Sequence, residues 1–276
     1  MHEERLRAKE AEFARIRKKN LLYMAVSIGS VALVLVIWQS AVSLGLVSTR
    51  FFTSPIEIVK VIFQKFTSPK PDGHLMHVHI LESLKVVWIG FLLGAALGIP
   101  IGLLMGWYKA ANRIVRPIFE LLRPIPGLAW IPIFIIFLGV STFARGCIIF
   151  VGAFISIVLN TYAGIRSTNK TLINVAKTCG ASNFEIFWKV GIPSAMPMIF
   201  AGLKTSMGMS WGTIVAAEML GSSLGLGFLI QYARSFCEIT LIFGGIIVLG
   251  ICGQISSMLI EHLEKIVLRW RPKTHG

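Results

Sequence analysis

Acidic residues, paired cysteines and nucleotide-binding glycines are all scarce in this sequence, and each shortage removes a class of function. Only 13 Asp and Glu stand against 27 Lys and Arg in 276 residues, a formal net charge of +14. The four cysteines, Cys147, Cys179, Cys237 and Cys252, are scattered with no C-x-x-C, so they support neither a disulfide framework nor a zinc site and read as small packing residues. No G-x-x-x-x-G-K-[ST] phosphate loop is present; Gly202-Leu203-Lys204-Thr205 lacks its spacing and lies in an apolar run. His74, His77 and His79 lie close together but have no thiolate and little acid nearby to complete four ligands, so no metal site is expected. Nothing points to catalysis, and no cofactor is expected on this chain.

Charge is also missing from long stretches, and that absence decides the class. Uncharged runs of 27 residues (Leu21–Val47), 23 (Val86–Tyr108), 21 (Pro124–Ala144), 20 (Gly146–Ile165) and 22 (Ile239–Ile260) each reach the ~20 residues a helix needs to cross a bilayer. A sixth span, from about Ser194 to Leu220, is interrupted by Lys204 and Glu218. With 55% hydrophobic residues and a mean hydropathy of +0.74, the chain reads as an all-α polytopic membrane protein with six transmembrane helices. The basic residues are placed accordingly. With the N-terminus inside, 18 Lys and Arg fall in cytoplasmic segments and 6 in outer ones, which puts both termini and the region around Thr171 in the cytoplasm. The excess of positive charge therefore belongs to the membrane surface, and a nucleic-acid partner is not expected.

The expected segments are a basic cytoplasmic tail (1–20), a first transmembrane helix (21–47), an extracytoplasmic stretch (48–79), a five-helix membrane core (80–263) containing cytoplasmic helices at 171–191, and a C-terminal tail (264–276). The first apolar run is too long for a signal-peptide core and stays as an anchor. The tail reads as a charged helix over residues 3–19 beside the lipid headgroups. Thr53-Ser54-Pro55-Ile56-Glu57 combines a serine cap, a proline at the first helical position and a capping glutamate, which predicts a short helix. Its Ile58, Ile62 and Phe66, with Val59 and Phe63 alongside, should lie on the outer membrane surface or against the bundle.

Three features mark the core. Gly90, Gly94, Gly98, Gly102 and Gly106 recur every four residues, a smooth stripe against which another helix can pack closely. Pro124, Pro126 and Pro132 predict a kinked or broken third crossing at its cytoplasmic end, facing either the pathway or a buried structural kink. In the fifth crossing Lys204, Met207, Trp211 and Glu218 share a helical face, and ionisable groups at membrane depth face the bundle interior or a cavity. That face is expected to line the pathway or a subunit interface.

The stretch Thr171–Leu203 organises the rest. Thr171 can cap a helix ending at Gly180, Ser182-Asn183-Phe184-Glu185 is a capping box starting a second helix, and Gly191 and Pro193 should end it. This stretch resembles the cytoplasmic EAA loop of ABC importer permeases, E-A-A-x-x-x-G followed by apolar residues and proline. Here it becomes Asn174-Val175-Ala176, then Gly180, Ile192-Pro193 and Pro197, with Asn174 where the family has glutamate. The resemblance extends to Arg123-Pro124-Ile125-Pro126 and Ile131-Pro132, to Ala217-Glu218-Met219 and to the helix after Thr53-Ser54-Pro55, a combination similar to the nitrate, sulfonate and taurine importers.

The resemblance implies a type I ABC importer permease fold in a bacterial inner membrane. It implies a second permease copy, two ATPase subunits carrying ATP and Mg, and an extracytoplasmic substrate-binding protein. Asn174, Ala176, Gly180, Ala181, Ser182 and Glu185 would then contact the ATPase; Arg123, Pro126, Trp130, Met207, Trp211 and Glu218 would line the pathway, Arg123 attracting an anion from the inner end. A secondary transporter or channel is the alternative, with Lys204 and Glu218 serving a coupling ion, but no inverted repeat is discernible. A membrane scaffold is a simpler alternative still.

Overall fold

The uncharged runs become helices in the computed structural model, which describes residues 2–47, 52–219 and 221–270, with side chains at Lys19 and from Leu22 onward. Among the described residues the chain is all helical: α1 (His2–Ser43), α2 (Pro55–Thr67), α3 (Met76–Trp107), α4 (Lys109–Leu122), a 3-10 turn (Gly127–Trp130) and α5 (Ile131–Leu138), then α6 (Thr142–Arg166), α7 (Lys170–Thr178), α8 (Asn183–Ile186), a π turn (Phe187–Gly191), α9 (Ile192–Met219), α10 (Leu226–Ser235) and α11 (Ile239–Val267). Of the C-terminal tail expected over 264–276, residues 264–267 are the end of α11 and residues 271–276 lie outside the described residues.

The glycine ladder of α3 finds its partner in α6. Gly90, Gly94, Gly98, Gly102 and Gly106 face Ile149, Ala153, Ile157, Thr161 and Ile165 in the same order, so two four-residue rows run together along the whole contact. A Cβ on Gly90 would stand 2.4 Å from the Gly146 carbonyl oxygen. Lipid supplies no hydrophobic drive between helices, so this depth of contact, multiplied over many atom pairs, holds the two together. Helix α9 packs against both α6 and α3, and Phe200, Met207, Trp211 and Ile214 join Val86, Val87, Leu229, Leu241 and Val248 in the main core.

Among the described residues five helices are long and apolar enough to cross a membrane, six if a bent pair counts as one span. That pair is the expected third crossing, and the break expected from its prolines separates the two limbs, more sharply than a kink within one span over Pro124–Ala144 would. Helix α4 and the limb Gly127–Leu138 meet at 88° across Arg123–Pro126. Pro124 and Pro126 cannot donate amides, and Pro126 is extended (φ −61°, ψ 140°), so the chain turns there. Helix α4 exposes Ile114, Ile118 and Leu121 along one side, while Arg116 pairs with Glu120 at 2.7 Å, the make-up of a helix lying in the membrane interface.

Helix α1 is the outermost element, exposed along nearly all of its apolar length. Trp38 fastens its outer end: the indole N–H donates to the Thr53 carbonyl at 3.0 Å, and the ring packs on Phe52 and Phe243. The capping box of α2 is present, with Ser54 Oγ accepting from Glu57 N and Glu57 Oε2 accepting from Ser54 N. Its inward face is Ile58, Val61, Ile62 and Lys65, against α11; Phe66, Val59 and Phe63 are exposed, which corrects the expected grouping.

Lys65 turns inward because the following loop is built around its ammonium. Nζ donates to the carbonyls of Pro69 (3.2 Å), Lys70 (3.1 Å) and His74 and pairs with Asp72, and both side chains of the pair are almost fully buried. His79 Nε2 lies 2.7 Å from Asp72 Oδ2, close enough for charge interaction though not aligned as a hydrogen bond, while Nδ1 meets the Gly225 backbone. Burial pushes the Asp72 carboxyl up, but the Lys65 hydrogen bond and the positive charge around it outweigh burial and hold its pKa below the ordinary value. A carboxylate depressed on folding contributes stability above its unfolded pKa, about 3.9, and loses it as pH falls through the lower folded value. Asp72→Asn is therefore expected to cost about 3 kcal/mol at neutral pH by leaving Lys65 buried without its counter-charge. It should also remove this pair's share of the stability lost in acid. Thermal unfolding of the detergent-purified protein at neutral and acid pH measures both, and an unchanged neutral midpoint would refute the assignment.

Candidate functional site

Between α6 and α9 the chain leaves the bundle, and short polar helices are held there by their own caps. Asn169, not Thr171, caps α7: its side chain accepts from Thr171 N at 2.8 Å. Asparagine two residues earlier wins because its short carbonyl reaches the first-turn amide, leaving Thr171 inside the helix. At the other end Gly180 is left-handed (φ +82°), with Gly180 N donating to Lys177 O and Ala181 N reaching back to Ala176 O at 3.0 Å, so Ala176 and Ala181 are joined by the turn itself. Ser182 then opens α8 with the capping box read from sequence, Ser182 N donating to Glu185 Oε2 at 2.9 Å.

The second helix does not end at Gly191 and Pro193. One π turn carries it into α9, with Ile192 N donating to Phe187 O, and Pro193 and Pro197 lie within the continuing helix. The wider turn just before Pro193 re-pairs carbonyls where the prolines supply no amide, so a proline that would break an isolated helix becomes a local widening.

Asn174, Gly180, Ser182 and Glu185 are exposed on this hairpin, and Ala176 and Ala181 are half-buried. Four apolar side chains that motif reasoning passed over are exposed beside them: Leu172, Val175, Phe184 and Trp188. Their signal was in the spacing, i, i+3 on α7 and i, i+4 across α8, without any partner helix in the chain to cover them.

The six expected pathway residues separate into two groups. Arg123 and Pro126 are exposed at the break between α4 and the 3-10 turn, and Trp130 is half-buried against Phe134. Met207, Trp211 and Glu218 are instead buried inside the subunit, Trp211 against Gly253 of α11. Both ionisable groups of α9 have partners from elsewhere in the chain. Lys204 Nζ pairs with Glu264 at 2.8 Å. Glu218 accepts from Ser83 Oγ and from Gly227 N, each at 2.7 Å, and Leu226 N donates to Ser83 Oγ, which knots α9 to α3 and the start of α10. Arg145 secures the same end of the bundle, bonding Glu82 at 3.0 Å and Ser222 at 2.7 Å. What α9 leaves open is its opposite side, Thr205, Gly208, Met209 and Gly212; a Cβ on either glycine would meet nothing within 4 Å.

His79 is engaged by Asp72 and Gly225, and among the described residues no group of His, Cys, Asp and Glu could hold a metal ion.

Known proteins share this arrangement. Residues 98–270 match the family described as binding-protein-dependent transport system inner membrane component. The chain is 34% identical over 245 residues to the putative aliphatic sulfonates transport permease protein SsuC of Bacillus subtilis (strain 168), covering 89% of this chain and 87% of that protein. It is 30% identical over 250 residues to the taurine transport system permease protein TauC of Escherichia coli (strain K12), covering 90% of each. With the nitrate import permease protein NrtB of Synechocystis sp. it shares 34% identity over 243 residues, 87% of each chain. A chain of the inward-facing MetNI methionine ABC transporter has the same fold, with a TM-score of 0.56 at 22% identity over 69% of this chain and 93% of that one. The capped hairpin between membrane spans, the family match over more than half the chain and these relatives agree: this protein belongs to the binding-protein-dependent transport system inner membrane component family and is an ABC transporter permease subunit, not itself an enzyme.

Proposed function

We propose that this permease imports a small anionic solute of the sulfonate, taurine or nitrate kind, as a homodimer with two ATPase subunits and an extracytoplasmic binding protein. Its termini and the α7–α8 hairpin face the cytoplasm, in keeping with the distribution of Lys and Arg. The observation that carries the reading is the exposed apolar set Leu172, Val175, Phe184 and Trp188 on a hairpin stiffened by three caps. Apolar side chains held on a rigid polar handle suit a partner protein, and the hairpin continues without a break into α9, so a push on it reaches the membrane span. Closure of the ATPase pair on ATP would bring two such handles together and tilt the bundles; hydrolysis would reverse it.

The pathway and the joint with the second copy fall on the open side of α9, where Thr205, Gly208 and Gly212 offer small side chains for close approach. Arg123, at the exposed inner break, supplies a cation to an anion leaving that side.

Gly180→Val tests the coupling role. A β-branched residue at φ +82° is strained by about 1–2 kcal/mol, yet no atom lies within 4 Å of a Cβ there, so the bundle itself has no reason to unfold. The variant, reconstituted with its ATPase and binding protein, is expected to hydrolyse ATP while uptake falls several-fold. Uptake at the normal rate by the assembled variant would sink the proposal.

A further inference from the structure

On the side of the bundle that carries the α7–α8 hairpin an open cavity of about 740 Å³ lies between the α3–α4 junction, the end of α6 and the flank of α7. Four cations line it, Lys109, Arg166, Lys170 and Lys177, and no carboxylate does. None of the four is within 4 Å of an acidic group among the described residues. Two helix N-termini border the same space: α7 begins at Lys170, and α4 begins at Lys109 with no side-chain cap on its first-turn amides. The C-terminal ends of α3 and α6 oppose these partial charges, but four whole positive charges exceed them.

One polar group in the wall has no partner. Thr168 is 7% exposed, it lines the cavity, and its Oγ1 makes no hydrogen bond. A buried hydroxyl left this way is costly unless a ligand or water meets it. Trp107 and Tyr108 form the rim on the α3 side, aromatic residues of the kind that settle at headgroup level, and both rings lie against Phe187 of the π turn, at 5.4 and 6.2 Å.

The geometry points to a binding site for a phosphate group, presented by an anionic phospholipid headgroup or by a free phosphate anion, clamped between the membrane spans and the coupling hairpin. Four cations match a phosphate's charge, Thr168 supplies a hydroxyl donor, and the uncapped amides of α4 supply the backbone donors that anions find at helix N-termini. Because Lys170 and Lys177 belong to α7 while Lys109 and Arg166 belong to the spans, an occupant ties the hairpin to the bundle.

The experiment uses the full chain in zwitterionic detergent and reads bound lipid by native mass spectrometry and stability by thermal unfolding. Phosphatidylglycerol is compared with phosphatidylcholine in one arm, and inorganic phosphate with chloride at equal ionic strength in the other. The wild type is expected to prefer the phosphate-bearing anion in at least one arm: phosphatidylglycerol alone assigns a lipid site, and inorganic phosphate assigns a free-anion site. Arg166→Gln and Lys177→Gln should each weaken that preference on the order of fivefold. Thr168→Val, which changes no charge and is too buried to touch an ATPase, should weaken it several-fold as well. Equal responses to phosphatidylglycerol and phosphatidylcholine together with equal responses to phosphate and chloride overturn the proposal, as does a preference that all three variants retain.

Discussion

Gly102→Val is expected to abolish the folded bundle. A Cβ at Gly102 would lie 2.6 Å from Thr161 Cβ and 2.8 Å from the Val158 carbonyl oxygen, and the second contact is to backbone that cannot rotate away. Valine adds two methyl groups beyond that Cβ, so α3 and α6 must separate along a seam where each rung depends on the next. Overpacking of this kind typically costs 1–3 kcal/mol and more where the neighbours cannot relax. Here the loss spreads to the rungs at Gly98 and Gly106, and a domain holds only about 5–15 kcal/mol in total. The measurement is the yield of monodisperse protein and its unfolding midpoint in detergent. Gly29→Val on the peripheral helix α1, where a Cβ meets nothing within 4 Å, is the control and should leave both unchanged. A Gly102→Val protein as stable as the wild type would show that the ladder does not set the helix spacing.

That seam was legible because its signal is local: five glycines at one interval require a close neighbour whichever helix supplies it. The caps of α2 and α8 were legible for the same reason, since Ser54 with Glu57 and Ser182 with Glu185 satisfy each other within four residues. Where the outcome depended on how segments close on one another, the sequence showed less. The prolines marked the break at Arg123–Pro126 but not its size: the chain turns by 88° there, and the limb beyond it ends in an α5 of only eight residues. Lys65 was counted among the outer basic residues, and the count gave no sign that its loop would fold three carbonyls and Asp72 around it.

The face of α9 carries the same lesson. Ionisable groups were expected to mark the pathway or a subunit interface, and the argument that they must avoid lipid holds. Their shelter is the subunit interior, because Glu264 and Ser83, 60 and 135 residues away in sequence, supply the partners. The side of α9 left for a second copy is marked instead by Gly208 and Gly212, whose meaning emerges only once the other face is known to be filled. Asn174, in place of the family's glutamate, is exposed, and Thr178 Oγ1 donates to its backbone carbonyl, so its side chain remains available to a partner as a neutral hydrogen-bonding group.

Glu218→Ala should be the second severe substitution, and its damage should be concentrated at the outer end. The Glu218 carboxyl is the acceptor for both Ser83 Oγ–H and Gly227 N–H, and Ser83 Oγ already accepts from Leu226 N, so its proton has no other direction to take. Alanine strands two buried donors and leaves a void next to Gly225, whose missing Cβ is what allows the carboxyl to fit: a Cβ there would be 2.3 Å from it. Stranded donors cost about 1–3 kcal/mol each, and the void adds to that, giving a loss of roughly 3 kcal/mol or more. Glu218→Gln keeps the shape. Its oxygen can accept from Gly227 N while its amide donates to Ser83 Oγ, leaving the Ser83 proton and the second amide hydrogen without partners but no void, so the loss should be smaller than alanine's, about 1–3 kcal/mol. If the carboxyl pins the outer loop, Glu218→Ala should also open Gly221–Leu224 to proteolysis while the α3–α6 seam stays protected, and Ser83→Ala combined with Glu218→Gln should cost less than the sum of the two. Equal stability of the alanine and glutamine variants, with the loop resistant in both, would mean that Glu218 is held by its surroundings and does not hold them.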